Sequence, residues 1–379
     1  MKRLSKPISA IATVLLLNQN AMAQECEFVD PAPPSALQWA TYESKNGWYV
    51  PASGTIRILF VFAEVNYTNP ANDPTLPTNP SSQWQPHQLP AWANQIADHN
   101  VPGGVAQGAL TRYFQLASSG NYNVIGDYLL APTNGGVFSS TNSSSPGAAV
   151  AAINTALGTN IVTANGFTSI TDFDNWTMDN GAYGQGLPKL TPSNENPGKY
   201  DHIMFIWRND NSHNGTGYAI PTGSPGLMLG YHANSYSDFG VTWGGGNIPF
   251  NIARHEFSHL IYGGNNFHCG GGGIGPENYF IPQLSGWSNM SLYGGSLNSW
   301  NAWDRQRLDW KAPGNVYSVS ARNAANTAEE DGDLDAANPS QAGTYTLRDF
   351  VLTGDALRIK LPYTDPSNEY PVFLWIENH

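Results

Sequence analysis

Basic residues and long apolar runs are both scarce in this chain. It has 17 Lys and Arg residues against 29 Asp and Glu residues, which gives a net charge of -12. Because proteins bind nucleic acid mainly through Lys and Arg on phosphates, we expect no nucleic-acid partner. The apolar run from Ile8 to Leu17 is too short to span a bilayer, and no other run is long enough. We therefore also expect no stable insertion into a membrane.

The short apolar run near the start has the features of an export signal. Lys2 and Arg3 precede it, and Ala21-Met22-Ala23 follows it as a small-x-small cleavage site. Residues 1–23 are therefore predicted to be a signal peptide that is removed from the mature chain. The expected product is a secreted protein, either extracellular or periplasmic.

Cysteine is nearly absent, since Cys26 and Cys269 are the two in the sequence. In an exported chain they are expected to form one disulfide, which would tie the predicted mature N-terminus to the segment after His268. Two alternatives stay open. Both cysteines can be free thiols, or the Cys26 thiolate can cap a metal in a latent precursor.

Glycine, proline and aromatic residues are abundant instead. The chain has 39 Gly, 27 Pro, 12 Trp, 18 Tyr and 15 Phe residues, a composition typical of a loop-rich, compact extracellular protein. Its length allows one large domain of roughly 250–300 residues with a small appendage. We divide the mature chain into an N-terminal extension (24–53), a main domain (54–340) and a β-rich C-terminal segment (341–379). We expect the natural protein to continue past that segment, because an exposed final strand promotes aggregation.

The main domain contains β-branched, apolar runs that alternate with helical patterns. Strands are predicted at 55–63, 122–130 and 199–207, and helices at 91–99, 108–118 and 147–157. Residues 66–90 and 132–148 are predicted loops. Short extended pieces such as 226–231 are candidates for an edge strand, to which an extended peptide would add. The alternation indicates an α/β class in which helices pack on a mixed α+β sheet.

The strongest chemical signal lies in residues 252–262, an apolar run predicted to be helical that contains His-Glu-x-x-His. His255 and His259 are four residues apart, so on a helix both imidazoles project from one face and can bind one metal ion. Glu256 is close enough to polarise a metal-bound water without being a ligand. The alternative is a surface helix with unpaired polar groups. The flanking Phe257 and Leu260 argue against it, because burying such a triplet without a metal is costly.

A catalytic zinc needs three protein ligands and an open position for water. The glycine pair at 263–264 ends the helix by allowing positive φ, and His268, nine residues past His259, is the best candidate for the third ligand. Asn265 and Asn266 are weaker candidates, because a neutral amide oxygen binds zinc less well than imidazole. The alternative for His268 is an ordinary loop histidine.

A helix with His-Glu-x-x-His, a glycine turn and a third ligand soon afterwards resembles the metzincin zinc peptidases. Residues 286–295 and 302–310 are similar to the methionine turn and the following Trp-rich helix of the M6 (immune inhibitor A-like) peptidases. The stretch from Arg112 to Tyr122 also looks like a helix-to-strand segment of that group. The resemblance implies a metzincin-like catalytic domain with a twisted sheet, an active-site helix and a Met-turn. It also places Met290 beneath the metal as an apolar floor, where the alternative is an ordinary core methionine.

One feature departs from the family pattern. The usual His-Glu-x-x-His-x-x-Gly-x-x-His or Asp would put the glycine at Tyr262 and the third ligand at Asn265. Here the glycine comes one residue late and the histidine three residues late. The departure bears on the third ligand and leaves His255 and His259 unaffected.

The chemistry of such a site follows from its parts. Zinc lowers the pKa of its water toward ~7 and polarises the substrate carbonyl. Glu256 is the expected general base, taking the water proton and delivering it to the leaving amine. Tyr293, three residues after Met290, is a candidate second electrophile for the tetrahedral intermediate. Its alternative role is packing.

An acidic run follows the Trp-rich block. Asp331, Asp333 and Asp335 stand at alternate positions, a pattern that can wrap calcium with oxygen ligands. It is not an EF-hand, because Ala336 and Ala342 occupy the positions that need glycine and glutamate. A solvated acidic loop is the favoured interpretation. Further strands are predicted at 344–348, 356–361 and 371–376.

Together these patterns predict a secreted zinc endopeptidase that acts on protein or peptide substrates, with zinc as its cofactor and calcium as a second candidate ion. Two alternatives stay open. One is an extracellular zinc-containing module that binds carbohydrate or protein without catalysis, which 12 Trp and 18 Tyr residues would suit. The other is a zinc amidase or esterase with the same ligands. The sequence makes no prediction of oligomeric state.

Overall fold

The largest feature of the structure is a six-stranded mixed sheet. The computed structural model describes residues 52–73, 85–131, 134–141, 176–178, 190–192, 201–209, 222–224, 227–234, 242–243, 246–247, 250–262, 300–364 and 371–379. In chain order the strands of all sheets in the structure are β1 (Gly54–Asn66), β2 (Tyr122–Leu129), β3 (Phe138–Thr141), β4 (Trp176–Met178), β5 (Leu190–Pro192), β6 (His202–Trp207), β7 (Thr222–Ser224), β8 (Leu227–Asn234), β9 (Thr242–Trp243), β10 (Gly246–Asn247), β11 (Ser320–Asn323), β12 (Glu329–Asp331), β13 (Asp333–Asp335), β14 (Tyr345–Thr346), β15 (Ala356–Thr364) and β16 (Pro371–Glu377). The main sheet has the order β2-β1-β6-β8-β7, and β3 pairs with the far end of β1.

Strand β1 forms the centre of this sheet. It runs parallel to β2 on one side and to β6 on the other. Every residue from Ile58 to Val65 is buried, which explains why the sequence shows a continuous apolar run rather than alternation. The predictions of strands at 55–63, 122–130 and 199–207 are confirmed, and β1 continues three residues further, to Asn66.

Two helices pack against one face of the sheet. These two are α1 (Ala109–Ala117) and α2 (Phe250–Tyr262); the other described α-helices are α3 (Ala302–Leu308) and α4 (Phe350–Thr353). Phe114 of α1 and Phe257 of α2 are fully buried, with ring centroids 5.4 Å apart. They share one core with the even-numbered residues 56–62 of β1. The structure therefore belongs to the mixed helix-and-sheet class that the sequence predicts.

The predicted helix at 91–99 is wrong, because this segment contains a single 3₁₀ turn at Ala93–Gln95. Distant hydrogen bonds hold the chain that follows the turn. The Asp98 carboxylate accepts hydrogen bonds from the backbone N–H groups of Gln107 (2.9 Å) and Gly108 (2.9 Å). The backbone N–H of Asp98 donates to Thr111 Oγ1 (2.8 Å). These contacts replace the local hydrogen bonds that a helix would need.

Part of the predicted loop at 132–148 forms strand β3, so that prediction is also wrong in part. Strand β3 pairs in parallel with Ala63–Asn66, the last residues of β1. Asn134 Nδ2 donates to Glu64 Oε1 (2.8 Å), and Arg208 Nε to Glu64 Oε2 (3.1 Å), so the buried Glu64 ties this segment to the sheet. The predicted helix at 147–157 lies outside the described residues.

The extended piece predicted at 226–231 belongs to β8. This strand pairs in parallel with β6 and in antiparallel fashion with β7. At this end of the described sheet, β7 is therefore the outer strand.

Strands from both sides of residue 340 pair with one another. Strand β11 pairs with β12 and β14, and β15 pairs with β13 and β16. The predicted strands at 344–348, 356–361 and 371–376 are confirmed as β14, β15 and β16. Ala302 N of α3 donates to Glu377 Oε2 of β16 (2.7 Å), so the final strand contacts the body that carries α3. Both sheets thus join the segments on either side of the predicted boundary at 340/341.

Candidate metal centre

Helix α2 carries the His-Glu-x-x-His stretch. It is continuous from Phe250 to Tyr262, as the sequence predicts for residues 252–262. The helix forms because Ala253, Phe257 and Ile261 recur at helical spacing, and all three are fully buried against the main core. Fixing this stripe against the core also fixes the direction in which the side chain at position 255 leaves the helix.

His255 is 2% exposed. A buried imidazole that is neutral can serve as a metal ligand through one ring nitrogen. Glu256 and His259 are helical residues of α2, and their side chains lie outside the described part of the structure. The residues that are described fit a zinc site in two respects: the motif is helical throughout, and its first histidine is buried.

A buried arginine next to the motif was not predicted as a site residue. Arg254 is 2% exposed, and its Nη1 donates to Tyr113 Oη of α1 (3.1 Å). Its Cζ lies 5.0 Å from the Tyr113 ring centroid and 5.4 Å from that of Phe250. Ser258 Oγ donates back to Arg254 O (2.6 Å). Two aromatic rings and one hydroxyl therefore fix Arg254, the residue directly before His255.

The environment of Tyr113 is strongly desolvated. Burial raises the pKa of Tyr113 to about 12, although the neighbouring Arg254 guanidinium acts in the opposite direction. The phenol therefore stays protonated and neutral at physiological pH, so its oxygen can accept the hydrogen bond from Arg254.

A second histidine lies behind the motif helix. His202 of β6 is 1% exposed, and its ring centroid lies 5.6 Å from that of Phe257. Burial lowers the pKa of His202 to about 3. Its imidazole is therefore neutral in the folded protein at ordinary pH.

Several predicted site residues lie outside the described residues. They are His268, its rivals Asn265 and Asn266, the Met-turn residue Met290, the candidate electrophile Tyr293, and the cysteines Cys26 and Cys269. Their roles, and the disulfide, stay predictions.

The acidic run, which the sequence predicts to be a loop, forms two short strands, β12 and β13, on either side of Gly332. Asp333 pairs with Arg358, whose Nε donates to Asp333 Oδ1 (2.8 Å). Asp335 accepts from Ala337 N (2.9 Å) and Lys360 Nζ (3.3 Å), and Asp331 accepts from Asp333 N (2.9 Å). Each carboxylate thus has a partner within the protein, and the calcium site stays a prediction.

Within the described ranges, no three His, Cys, Asp or Glu side chains form a group suited to a metal ion. His268 and the side chains of Glu256 and His259 lie outside these ranges, so this absence does not bear on the zinc site. Nor does any described helix have the length and apolar character needed to cross a membrane.

No protein-family model matches the chain, and no curated protein matches it either.

Proposed function

We propose that this chain is a secreted zinc endopeptidase with a metzincin-like catalytic domain. The observation that carries the proposal is the continuous helix α2, in which His255 and His259 are spaced one turn apart and His255 is buried. His268 is the proposed third ligand, and Met290 the apolar floor of the site. The twisted sheet, active-site helix and Met-turn of the metzincins are part of the same proposal.

The zinc ion, when bound, supplies Lewis-acid polarisation of the scissile carbonyl and acidifies water. Glu256 then acts as the general base, taking the proton of the attacking water and passing it to the leaving amine. Tyr293 is the proposed donor toward the oxygen that gains negative charge. The packing of Arg254 against Tyr113 and Phe250 holds the motif helix while this proton moves.

The edge of the described main sheet supports the proposed substrate class. Strand β7 is the outer described strand there, and it pairs with β8 through Ser224↔Leu227 and two further residue pairs. An outer strand offers backbone N–H and C=O groups to an extended peptide. We therefore assign extended protein or peptide segments as the substrate.

Substitution of the proposed base tests the reaction. In a quenched-peptide assay, Glu256→Gln should abolish zinc-dependent cleavage, because a neutral amide cannot accept the water proton. Zinc content by elemental analysis should stay at one ion per chain. The matched control is Glu330→Gln, which removes an exposed carboxylate on β12 and should cleave at the parental rate.

Full activity in Glu256→Gln would contradict the general-base role. If the parent chain binds zinc and shows no chelator-sensitive cleavage of peptides, the binding-module alternative is correct. Cleavage of simple esters or amides without cleavage of peptides would identify the amidase or esterase alternative.

The third ligand has its own test. His268→Ala should lower zinc affinity by at least tenfold, since the site then loses one of three protein ligands. Asn265→Ala and Asn266→Ala serve as comparison variants and should keep the parental affinity. An unchanged affinity in His268→Ala, with a loss in either asparagine variant, would move the ligand to that asparagine.

A further inference from the structure

Helix α2 contacts the rest of the protein along two adjacent stripes. The first stripe is buried in the main core and consists of Ala253, Phe257 and Ile261. The second stripe consists of Phe250 and Arg254, which lie one turn apart and both contact Tyr113 of α1. A helix that is held along two stripes cannot rotate about its axis without losing contacts on one of them.

Phe250, Arg254 and Tyr113 form a small cluster on the second stripe, here called the Arg254 cluster. Arg254 Nη1 donates to Tyr113 Oη (3.1 Å), and Arg254 Cζ lies 5.0 Å from the Tyr113 ring centroid. The rings of Tyr113 and Phe250 meet edge to face, with centroids 5.4 Å apart. A hydrogen bond weakens steeply when its angle changes, whereas apolar packing has no preferred direction. The Arg254 cluster is therefore the contact that resists rotation of α2.

Movement of Arg254 passes directly to the first motif histidine. Arg254 precedes His255 in the chain, and Ser258 Oγ donates to Arg254 O (2.6 Å) within the same turn of the helix. The backbone that joins the Arg254 cluster to position 255 is thus part of one hydrogen-bonded helical turn. No flexible segment separates the two.

A small rotation of α2 would be enough to disturb a metal site. The ends of side chains lie about 5–6 Å from a helix axis, so a rotation of about 10° shifts them by about 1 Å. Zinc–nitrogen distances are expected to stay within about 0.2 Å of 2.0–2.1 Å. A zinc site that uses this helix therefore needs the rotation of α2 to be fixed before the metal binds.

We infer that Arg254 is a positioning residue for the zinc site, an inference that rests on the proposed function. Arg254 acts through His255: its hydrogen bond to Tyr113 fixes the rotation of α2, and this rotation sets where the His255 imidazole lies. The contact with Tyr113 thus raises the affinity for zinc by organising the site in advance, in addition to stabilising the fold.

Zinc affinity of the full chain, measured by competition with a chromophoric chelator, tests the inference. Arg254→Lys keeps the positive charge but loses the planar guanidinium, so zinc should bind about tenfold more weakly. Tyr113→Phe keeps the ring and loses the acceptor, and should weaken zinc binding about threefold to tenfold. Binding of Co²⁺ adds a spectroscopic measurement, because its visible absorption reports the geometry of the ligands. The Co²⁺ spectrum of Arg254→Lys should differ from that of the parent chain.

Val124→Ala is the matched control for stability. Val124 is a fully buried residue of β2 in the same core and is not a member of the Arg254 cluster. Its truncation should lower the urea midpoint at least as much as Tyr113→Phe does, and leave zinc affinity and the Co²⁺ spectrum as in the parent. Far-UV circular dichroism checks that each variant is folded; if Arg254→Lys is not, Tyr113→Phe carries the test.

The outcomes separate this inference from the proposed function. If the parent chain binds zinc and both cluster variants keep the parental affinity, or if Val124→Ala weakens binding equally, the positioning role is overturned and the zinc site stands. A parent chain that binds no zinc overturns the proposed function, and the positioning role with it.

Discussion

Burial sets the charge state of His202, the residue that supports the motif helix from the sheet. Its side chain is 1% exposed at the start of β6 and lies against Phe257 of α2. Burial lowers the pKa of His202 from 6.5 to about 3, because an imidazolium would lose its hydration there. The folded protein therefore keeps this imidazole neutral at pH values where the unfolded chain protonates it.

This difference predicts that acid destabilises the fold. Between pH 6.5 and about 3 the unfolded chain binds more protons at His202 than the folded chain does. The free energy of unfolding should therefore fall as pH falls through this window, by at most about 1.4 kcal/mol per pH unit from this residue. Above pH 6.5 the contribution is complete. Urea titrations of the metal-free chain between pH 4 and 8 measure it.

The variant His202→Met isolates this residue from the other titrating groups. Methionine fills a similar volume without a titrating nitrogen, so its pH dependence should be shallower than that of the parent chain. Equal pH dependence in the two proteins would mean that acid destabilisation arises elsewhere.

Among the elements, helix α2 depends on a side-chain contact with α1. Arg254 donates to Tyr113 Oη at 3.1 Å; Arg254 is buried and Tyr113 is half-buried. Tyr113→Phe removes the acceptor without changing the ring, so the free energy of unfolding should fall by about 1–3 kcal/mol. Urea denaturation measures the change. Tyr128→Phe is the matched control, since Tyr128 meets its neighbour Phe62 through its ring, and it should change stability by less than about 0.5 kcal/mol.

A double-mutant cycle with Arg254→Met separates the hydrogen bond from packing. If the bond itself stabilises α2, the two substitutions together should cost less than the sum of their separate costs. Strictly additive costs would indicate that Tyr113 and Arg254 stabilise the protein independently.

These elements also show what the sequence can predict. The helix at 252–262 and the strand at 55–63 depend on local periodicity and on apolar runs, and both were predicted. The segment at 91–99 has a helical pattern too, but Asp98 binds backbone groups at 107 and 108, and no local pattern contains that information. The same reason explains which parts of the candidate site can be predicted from the sequence. Spacing along the chain identifies His255 and His259, whereas Arg254 and Tyr113 are 141 residues apart and come into contact only in the folded chain.

In the molecule as a whole, residues that follow position 340 complete the packing of α3. Arg305 of α3 donates through Nη1 to Phe350 O (3.3 Å) and through Nη2 to Val351 O (3.2 Å), and its Cζ lies 4.5 Å from the Phe350 ring centroid. Burial lowers the pKa of Arg305 to about 10. At neutral pH this buried guanidinium stays charged, so it needs the acceptors that α4 provides.

A chain that ends at residue 340 should therefore lose cooperative folding. The truncation removes Phe350 and Leu357, two buried side chains worth about 1.5–3 kcal/mol each, and takes the carbonyl acceptors from Arg305. It also removes β14 and β15, the partners of β11 and β13. These losses are comparable to the whole stability of a typical domain, about 5–15 kcal/mol. Urea unfolding of chains 24–340 and 24–379, followed by tryptophan fluorescence, compares them directly. A sharp transition at the same urea concentration in both would mean that residues 341–379 fold as a separate unit.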